Sequence, residues 1–148
     1  CDIENTLNQT LFLLAGEFKK SNIHIEVSLA EPLPKICFSA DSLQQVLINL
    51  LLNARDALVD IQQPRIDIEA KVVGAFLELC IFDNGIGIPE TILTRIFDPF
   101  FTTKPPGKGT GLGLSVTHRL IEEAGGSIMG YNKSDCGCCM KLQFKIAI

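Results

Sequence analysis

Hydrophobic positions recur along the chain with two periods, and each change of period marks a change of predicted secondary structure. Apolar residues spaced three and four apart, as on one face of a helix, are found in three segments: residues 2–20, 41–59 and 112–124. Alternating or continuous apolar residues, typical of strands, are found in five segments: residues 23–29, 65–72, 76–83, 127–131 and 140–146. Asp2 is a candidate N-cap of the first helix, and Asp41 with Gln44 has the spacing of a capping box at the start of the second. The two prolines in residues 31–41 predict a loop, with room for a small strand at 35–38.

The order of these elements predicts one α/β domain built in two layers. Residues 65–72 carry apolar side chains on one face and charged side chains on the other, whereas residues 76–82 are almost continuously apolar and predict a central strand that ends at Asp83. Because strands with one polar face are covered on the other face only, we expect all the long helices on one side of a mixed, mostly antiparallel sheet. The length of 148 residues and the absence of a repeat predict a single domain over residues 1–148.

Composition and charge argue against several classes of function. The chain is 47% hydrophobic and 20% charged, with a net charge of -4 and no basic cluster, so we expect a packed globule without a nucleic-acid surface. No apolar run approaches the roughly 20 residues that span a bilayer. The chain begins with Cys1 and not with Met, and we expect it to be a fragment of a longer protein.

The cysteines do not form a recognisable metal-binding pattern. There are six: Cys1, Cys37, Cys80, Cys136, Cys138 and Cys139. The cluster at 136–139 has no second Cys or His cluster at the spacing of a zinc finger. We therefore expect reduced thiols, with Cys80 acting as a small buried hydrophobic residue inside a strand.

One polar line interrupts the otherwise apolar helix predicted at 41–59. Gln45, Asn49 and Asn53 are spaced four apart, so they lie on one face of that helix. Asparagine is a poor helix former, and a buried amide needs hydrogen-bond partners. The two asparagines could bond a neighbouring loop, but their register favours a ligand.

Two glycine-rich corners carry the strongest candidate chemistry. The first, DNGIG at residues 83–87, places the Asp83 carboxylate at the end of an apolar strand, where it could accept a hydrogen bond from an exocyclic amine such as that of adenine. The alternative is a purely structural role, as an Asp-Gly turn that closes a hairpin. The second, GKGTGLGLS at residues 107–115, leads directly into a helix, whose free amides and dipole favour phosphate. Its spacing fits neither a Walker P-loop nor a Rossmann turn.

Between the corners lies the apolar and Pro-containing segment IFDPFFTTK, residues 96–104. Its exposed apolar residues predict either a pocket cover or a surface for a partner. Lys104 and Lys108 are each either phosphate contacts or solvated loop lysines. His24 lies on the polar side of a strand, and His118 inside a helix is a packed or surface residue.

Together these segments resemble the ATP-binding catalytic domain of bacterial sensor histidine kinases, within the Bergerat-fold, or GHKL, ATPase superfamily. QQVLINLLLNARDAL resembles the N box, DNGIGIP the first glycine box, IFDPFFTTK the F box and GKGTGLGLS the second glycine box. The wording FFTTKPPGKGTGLGL is most similar to the nitrogen- and dicarboxylate-sensing class. The resemblance covers essentially the whole chain. It implies a Bergerat-fold sandwich that binds ATP and Mg²⁺ and, in the full-length protein, transfers the γ-phosphoryl group to a histidine.

The resemblance also implies a role for individual residues. Asn53 would hold Mg²⁺, Asp83 would accept from the adenine amine, and Asn49 and Lys104 would be catalytic. The ATP-binding residues that it implies are Asn49, Asn53, Asp83, Gly85, Gly87, Ile88, Phe97, Thr103, Lys104, Lys108, Gly109, Thr110, Gly111, Leu112 and Gly113. Phe97, Phe100 and Phe101 would anchor an ATP lid at about residues 89–110, or dock on the helical dimerisation domain.

The same resemblance implies the surroundings of the domain. Residues 1–20 would follow a dimerisation and phosphoacceptor domain that lies outside this chain, because neither His24 nor His118 has the phosphoacceptor pattern. The expected partners are ATP, that dimerisation domain and a response regulator, without nucleic acid or direct membrane contact. The expected location is the cytoplasm, with a full-length kinase that could be anchored in a membrane.

Three positions distinguish this chain from related proteins. Asp56 stands where many of these kinases have Lys or Arg, and Cys138 where the last strand often has Thr. Hydrolysing relatives place a Glu at the position of Asn49 to activate water, and an amide cannot act as that base. The resemblance therefore implies that ATP is hydrolysed slowly and that its phosphoryl group is transferred to a histidine. The alternatives are a non-catalytic nucleotide sensor or docking module, and a stand-alone serine kinase of the anti-sigma-factor type.

Overall fold

A computed structural model describes residues 1–99, 101 and 113–148 of the chain. Its elements are α1 (Ile3–Lys20), β1 (His24–Leu29), α2 (Ala40–Ala57), β2 (Arg65–Val73), β3 (Phe76–Asp83), α3 (Glu90–Leu93), α4 (Gly113–Glu123), β4 (Ser127–Asn132) and β5 (Cys138–Lys145). The predicted order of helices and strands is confirmed. In place of the small strand predicted at 35–38, Ile36 forms an isolated antiparallel bridge with Ile146.

The five strands form one sheet in the order β1-β2-β3-β5-β4. β1 pairs with β2 in parallel, and the other three pairs are antiparallel. The predicted central strand is confirmed, because β3 lies between β2 and β5. The mixed, mostly antiparallel sheet predicted from the polar faces of the strands is therefore the observed one.

The core lies between one face of this sheet and the long helices. Alternate residues of β2, Ile66, Ile68 and Ala70, are buried in the same cluster as Leu7 of α1 and Leu47 of α2. The opposite face of β2 presents charged side chains, as the alternation predicts. The structure thus confirms a two-layer sandwich with its long helices on one face. In the part of the chain that the structure describes, none of the helices is both long and apolar enough to span a bilayer.

The predicted N-cap residue is confirmed for α1 and is wrong for α2. Asp2 caps α1, since its carboxylate accepts a hydrogen bond from the amide of Asn5 at 3.1 Å. The capping box predicted at Asp41 is wrong: Ser39 caps α2, and its hydroxyl accepts from the amide of Ser42 at 3.0 Å. Ser39 has the extended backbone that a cap requires, whereas Asp41 already lies in the first turn, where its charge favours the helix dipole.

Candidate nucleotide-binding site

Asp83 ends the central strand as a buried carboxylate. Only 7% of the residue is exposed, and Oδ1 accepts a hydrogen bond from the amide of Gly85 at 2.9 Å. Burial raises the pKa of Asp83, while hydrogen bonds from the amides of Gly85 and Cys138 and the charge of Lys133 act in the opposite direction. A carboxylate can accept about four hydrogen bonds, so Asp83 retains capacity for a donor on a ligand.

The glycines after Asp83 allow the backbone to make close contacts on two sides. A Cβ atom at Gly85 would lie 2.5 Å from the carbonyl oxygen of Ala57, at the end of α2. Gly87 has a φ of +77°, and its Cβ would lie 2.9 Å from Oδ1 of Asn132. The glycines are thus required by a positive φ and by close packing, and the corner from Asp83 to Ile88 lies directly against the end of α2.

The polar line on α2 lies beside the start of α4. Nδ2 of Asn49 is 3.4 Å from the carbonyl oxygen of Gly113 and 3.4 Å from Oγ1 of Thr117. These long hydrogen bonds use the amide nitrogen of Asn49, whereas a ligand cation would bind to its amide oxygen. Asn53 lies one turn further along the helix and is half-buried. Of the two alternatives for these asparagines, a bond to a neighbouring segment is observed for Asn49, and a contact of either asparagine with a ligand stays a prediction.

The chemistry of these side chains fits Mg²⁺ bound together with phosphate. Mg²⁺ prefers oxygen ligands, and in phosphate sites it takes only one or two of them from the protein. The amide oxygens of Asn49 and Asn53 are ligands of that kind, one helical turn apart on α2. Among the described residues, no group of three or more His, Cys, Asp or Glu side chains could hold a metal ion. An asparagine-based site does not need such a group.

The described part of the F box lies against α4 and β4. The ring of Phe97 stacks on that of His118, with centroids 5.2 Å apart and an angle of 29° between the planes. Ile96 is buried, and a Cβ at Gly130 would lie 2.9 Å from its Cδ1 atom. His118, predicted to be a packed or surface residue, is half-buried in α4. The contacts of Ile96 and Phe97 therefore hold the described part of this segment to the domain, and a contact of Phe97 with ATP stays a prediction.

Several predicted site residues lie outside the part of the chain that the structure describes. They are Phe100, Thr103, Lys104, Lys108, Gly109, Thr110, Gly111 and Leu112. The catalytic role of Lys104 and most of the second glycine box therefore stay predictions. Gly113, the last glycine of that box, is described, and it is the first residue of α4.

The β4–β5 hairpin contributes Asn132, which the sequence patterns missed, and Cys138, which they had singled out. The side chain of Asn132 forms two hydrogen bonds to the backbone of Ile88. Its only signal in the sequence is a polar residue at the end of a strand, which is typical of any turn. Cys138, which stands where related kinases often have Thr, is buried and pairs with Asp83 across the sheet. Burial and the charge of Asp83 raise the pKa of this thiol to about 12.

Residues 38–148 match the family model described as histidine kinase-, DNA gyrase B-, and HSP90-like ATPase. The chain belongs to this ATPase family. It is 46% identical over 118 residues to the two-component sensor PprA of Pseudomonas aeruginosa, an alignment that covers 75% of this chain and 13% of PprA. It is 35% identical over 147 residues to the sensor histidine kinase ZraS of Escherichia coli K12, covering 99% of this chain and 31% of ZraS. The chain thus spans less than a third of the length of these curated relatives.

Solved structures of histidine kinases share the fold. The catalytic domain of histidine kinase ThkA is 28% identical with a TM-score of 0.86, and the match covers 98% of this chain and 95% of that domain. Full-length ShkA in complex with AMPPNP is 26% identical with a TM-score of 0.85, over 99% of this chain and 31% of ShkA. Histidine kinase ThkA in complex with the response regulator protein TrrA is 26% identical with a TM-score of 0.82. That match covers 99% of this chain and 41% of the chain in the complex.

Proposed function

We propose that this chain is the ATP-binding catalytic domain of a sensor histidine kinase. The observation that carries the proposal is the buried Asp83 carboxylate, which ends the central strand in a glycine corner packed against the end of α2. On the same helix, Asn49 lies beside the first residue of α4. A base at Asp83 and phosphates at the N-terminus of α4 are the two ends of one nucleotide.

Asn53 and Asn49 are the proposed contacts to Mg²⁺ and the phosphates. ShkA was solved with AMPPNP, an ATP analogue, which supports ATP as the ligand here. When bound, Mg²⁺ would neutralise charge on the phosphates. Asn53 would hold it through its amide oxygen, and Asn49 would align the same phosphates from the adjacent turn. The amides at the start of α4 would stabilise negative charge on the transferred group.

Asn49 favours a kinase over a hydrolase. An amide has no basic group at neutral pH and cannot remove a proton from water. ATP bound beside Asn49 would therefore be hydrolysed slowly and be kept for transfer to a nitrogen nucleophile. The nucleophile would be a histidine on a dimerisation domain outside this chain, with residues 1–20 following that domain.

The proposal extends to the partners of the complete protein. The complex of ThkA with TrrA supports a response regulator as the acceptor of the phosphoryl group from histidine. We propose residues 89–110 as the ATP lid, with Lys104 and Lys108 as phosphate contacts and Phe97, Phe100 and Phe101 as its anchors or docking residues. We further propose the nitrogen- and dicarboxylate-sensing class, and the cytoplasm, where ATP is available, as the location of this domain.

Autophosphorylation of the complete protein tests this function. The full-length kinase is incubated with γ-labelled ATP and Mg²⁺, and the stability of the labelled product is measured in acid and in base. The proposal predicts a label that is lost in acid and kept in base, as expected of phosphohistidine. A label that is stable in acid would indicate a serine kinase. ATP binding without any label would indicate a nucleotide sensor.

A further inference from the structure

The side chain of Asn132 holds the backbone of Ile88 with both ends of its amide. The N–H of Ile88 donates to Oδ1 of Asn132 at 2.7 Å, and Nδ2 of Asn132 donates to the carbonyl oxygen of Ile88 at 2.6 Å. Asn132 is the last residue of the edge strand β4, whereas Ile88 directly follows the first glycine corner. Two reciprocal hydrogen bonds fix the peptide groups on both sides of Ile88, because neither group can rotate without breaking one of them.

The same hairpin contacts the other end of the corner. Gly137, with a φ of +85°, lies so close to Asp83 that a Cβ would be 1.8 Å from the Asp83 carbonyl oxygen. The amide of Lys133 donates to the carbonyl of Gly137 at 3.0 Å and closes the hairpin. The hairpin therefore supports the corner at two points, with Gly137 at its start and Asn132 at its end. Gly87 lies between them, and its missing Cβ leaves room for the side-chain oxygen Oδ1 of Asn132.

Asn132 lies outside the hydrophobic core, so its role can be tested without disturbing the packing of the core. The residue is exposed, and it is not part of the hydrophobic cluster that joins sheet and helices. Loss of its side chain should therefore leave the fold in place and release only the backbone at Gly87 and Ile88. Asp83 itself stays fixed, because it belongs to the central strand and pairs with both neighbouring strands.

We infer that Asn132 is a positioning residue for base recognition, which rests on the proposed binding of ATP at this corner. By fixing Gly87 and Ile88 opposite the rigid Asp83, it sets the position of a base that lies between them. The hydrogen bond from an exocyclic amine to Asp83 depends steeply on distance and angle. A base that can shift loses that bond first, so Asn132 determines how strongly the site prefers a purine with an amine.

The test compares two nucleotides in the Asn132→Ala variant. Dissociation constants for ATP and for purine riboside triphosphate, which lacks the amine, are measured by calorimetry with Mg²⁺. The wild type should prefer ATP. The variant should bind ATP roughly tenfold more weakly, the scale of one or two lost hydrogen bonds, while its affinity for the analogue changes little. The preference for ATP should therefore fall toward one.

Asp2→Ala is the matched control, because it also removes a hydrogen bond from a side chain to the backbone but lies at the start of α1. It should keep the preference for ATP. A preference in Asn132→Ala equal to that of the wild type, or an equal loss for both nucleotides, would overturn the inference. A wild type that binds neither nucleotide would overturn the proposed function itself.

Hydrogen exchange of the wild type gives a second measurement that does not depend on the folding of a variant. The amide of Ile88 should exchange slowly in the absence of nucleotide, because it donates to Asn132, and more slowly still with ATP. Exchange at the rate of an unprotected amide in both states would overturn the inference.

Discussion

Asp83 combines two opposing properties that matter for its role. Its burial disfavours the charged form and raises its pKa, whereas the nearby amides of Gly85 and Cys138 favour the charge. The ionised form of a carboxylate is a strong acceptor for an amine on a ligand, and the amides of Gly85 and Cys138 favour that form. The residue that would select the base is therefore also one that lowers the stability of the empty protein at neutral pH.

This conflict predicts a pH-dependent difference between the wild type and Asp83→Asn. The folded protein holds the proton of Asp83 more tightly than the unfolded chain, so this carboxyl contributes less stability as pH rises from its ordinary pKa of 3.8 through its raised value. The variant does not titrate there. Its free energy of unfolding relative to the wild type should rise over that window and then level off. Urea unfolding at several pH values from about 3 to about 7 measures it, and a difference that is constant with pH would contradict the assignment.

Asn53 carries the proposed contact to Mg²⁺, and its removal should separate metal binding from nucleotide binding. In Asn53→Ala, ATP affinity should fall about tenfold or more with Mg²⁺ present and should change little in EDTA, because the lost ligand acts through the metal. Calorimetry under both conditions measures this. Gln45→Ala, an exposed residue on the same polar line, is the control and should bind ATP as the wild type does. A variant at Asn53 with an unchanged response to Mg²⁺ would contradict the role.

Residues differ in how far the sequence could predict them. Asp83 and Asn49 stand out because they interrupt apolar segments, where a polar group needs a reason. Ser39 and Asn132 carry no such contrast, since polar residues at the ends of helices and strands are common. Their hydrogen-bond partners are backbone atoms, and the sequence does not show which backbone groups lie close to them.

At the scale of elements, the pattern of apolar residues predicted every long helix and strand. Most of them have one face toward the core, and β3, which is buried on both faces, has a nearly continuous apolar run. The details at the ends depended on contacts that periodicity does not contain. α2 ends at Ala57, two residues before the predicted Val59, where Gly85 packs against its last carbonyl. The parallel pairing of β1 with β2 likewise depends on the path of the chain through α2, and not on either strand alone.

The β4–β5 hairpin predicts a clear contrast between two glycines. Gly137→Ala forces a side chain into the carbonyl of Asp83 at a positive φ, and should destabilise the protein by about 2–4 kcal/mol and weaken ATP binding. Gly16→Ala is the matched control, because Gly16 lies inside α1 and, among the described residues, nothing beyond the backbone of its own helix lies within 4 Å of its Cβ position. It should stabilise the protein by about 0.5–1 kcal/mol and leave ATP binding unchanged. Chemical denaturation measures both, and equal effects would contradict the proposed contact.

On the scale of the whole molecule, the sandwich brings together three segments that are far apart in the sequence. The end of β3, the middle of α2 and the start of α4 meet at one edge, as the contacts of Gly85 with Ala57 and of Asn49 with Gly113 record. The sequence predicted these segments as motifs, and the family match supports their common role. The sequence did not predict that the β4–β5 hairpin would contact the first glycine corner through Asn132 and Gly137.

Binding of ATP to the isolated chain tests the central claim most directly. Calorimetry with ATP and Mg²⁺ should show saturable binding of one nucleotide per chain. Asp83→Ala should abolish that binding while the circular dichroism spectrum stays that of the wild type. A wild-type chain that does not bind ATP, or a folded Asp83→Ala variant that binds it with the same affinity, would contradict the account.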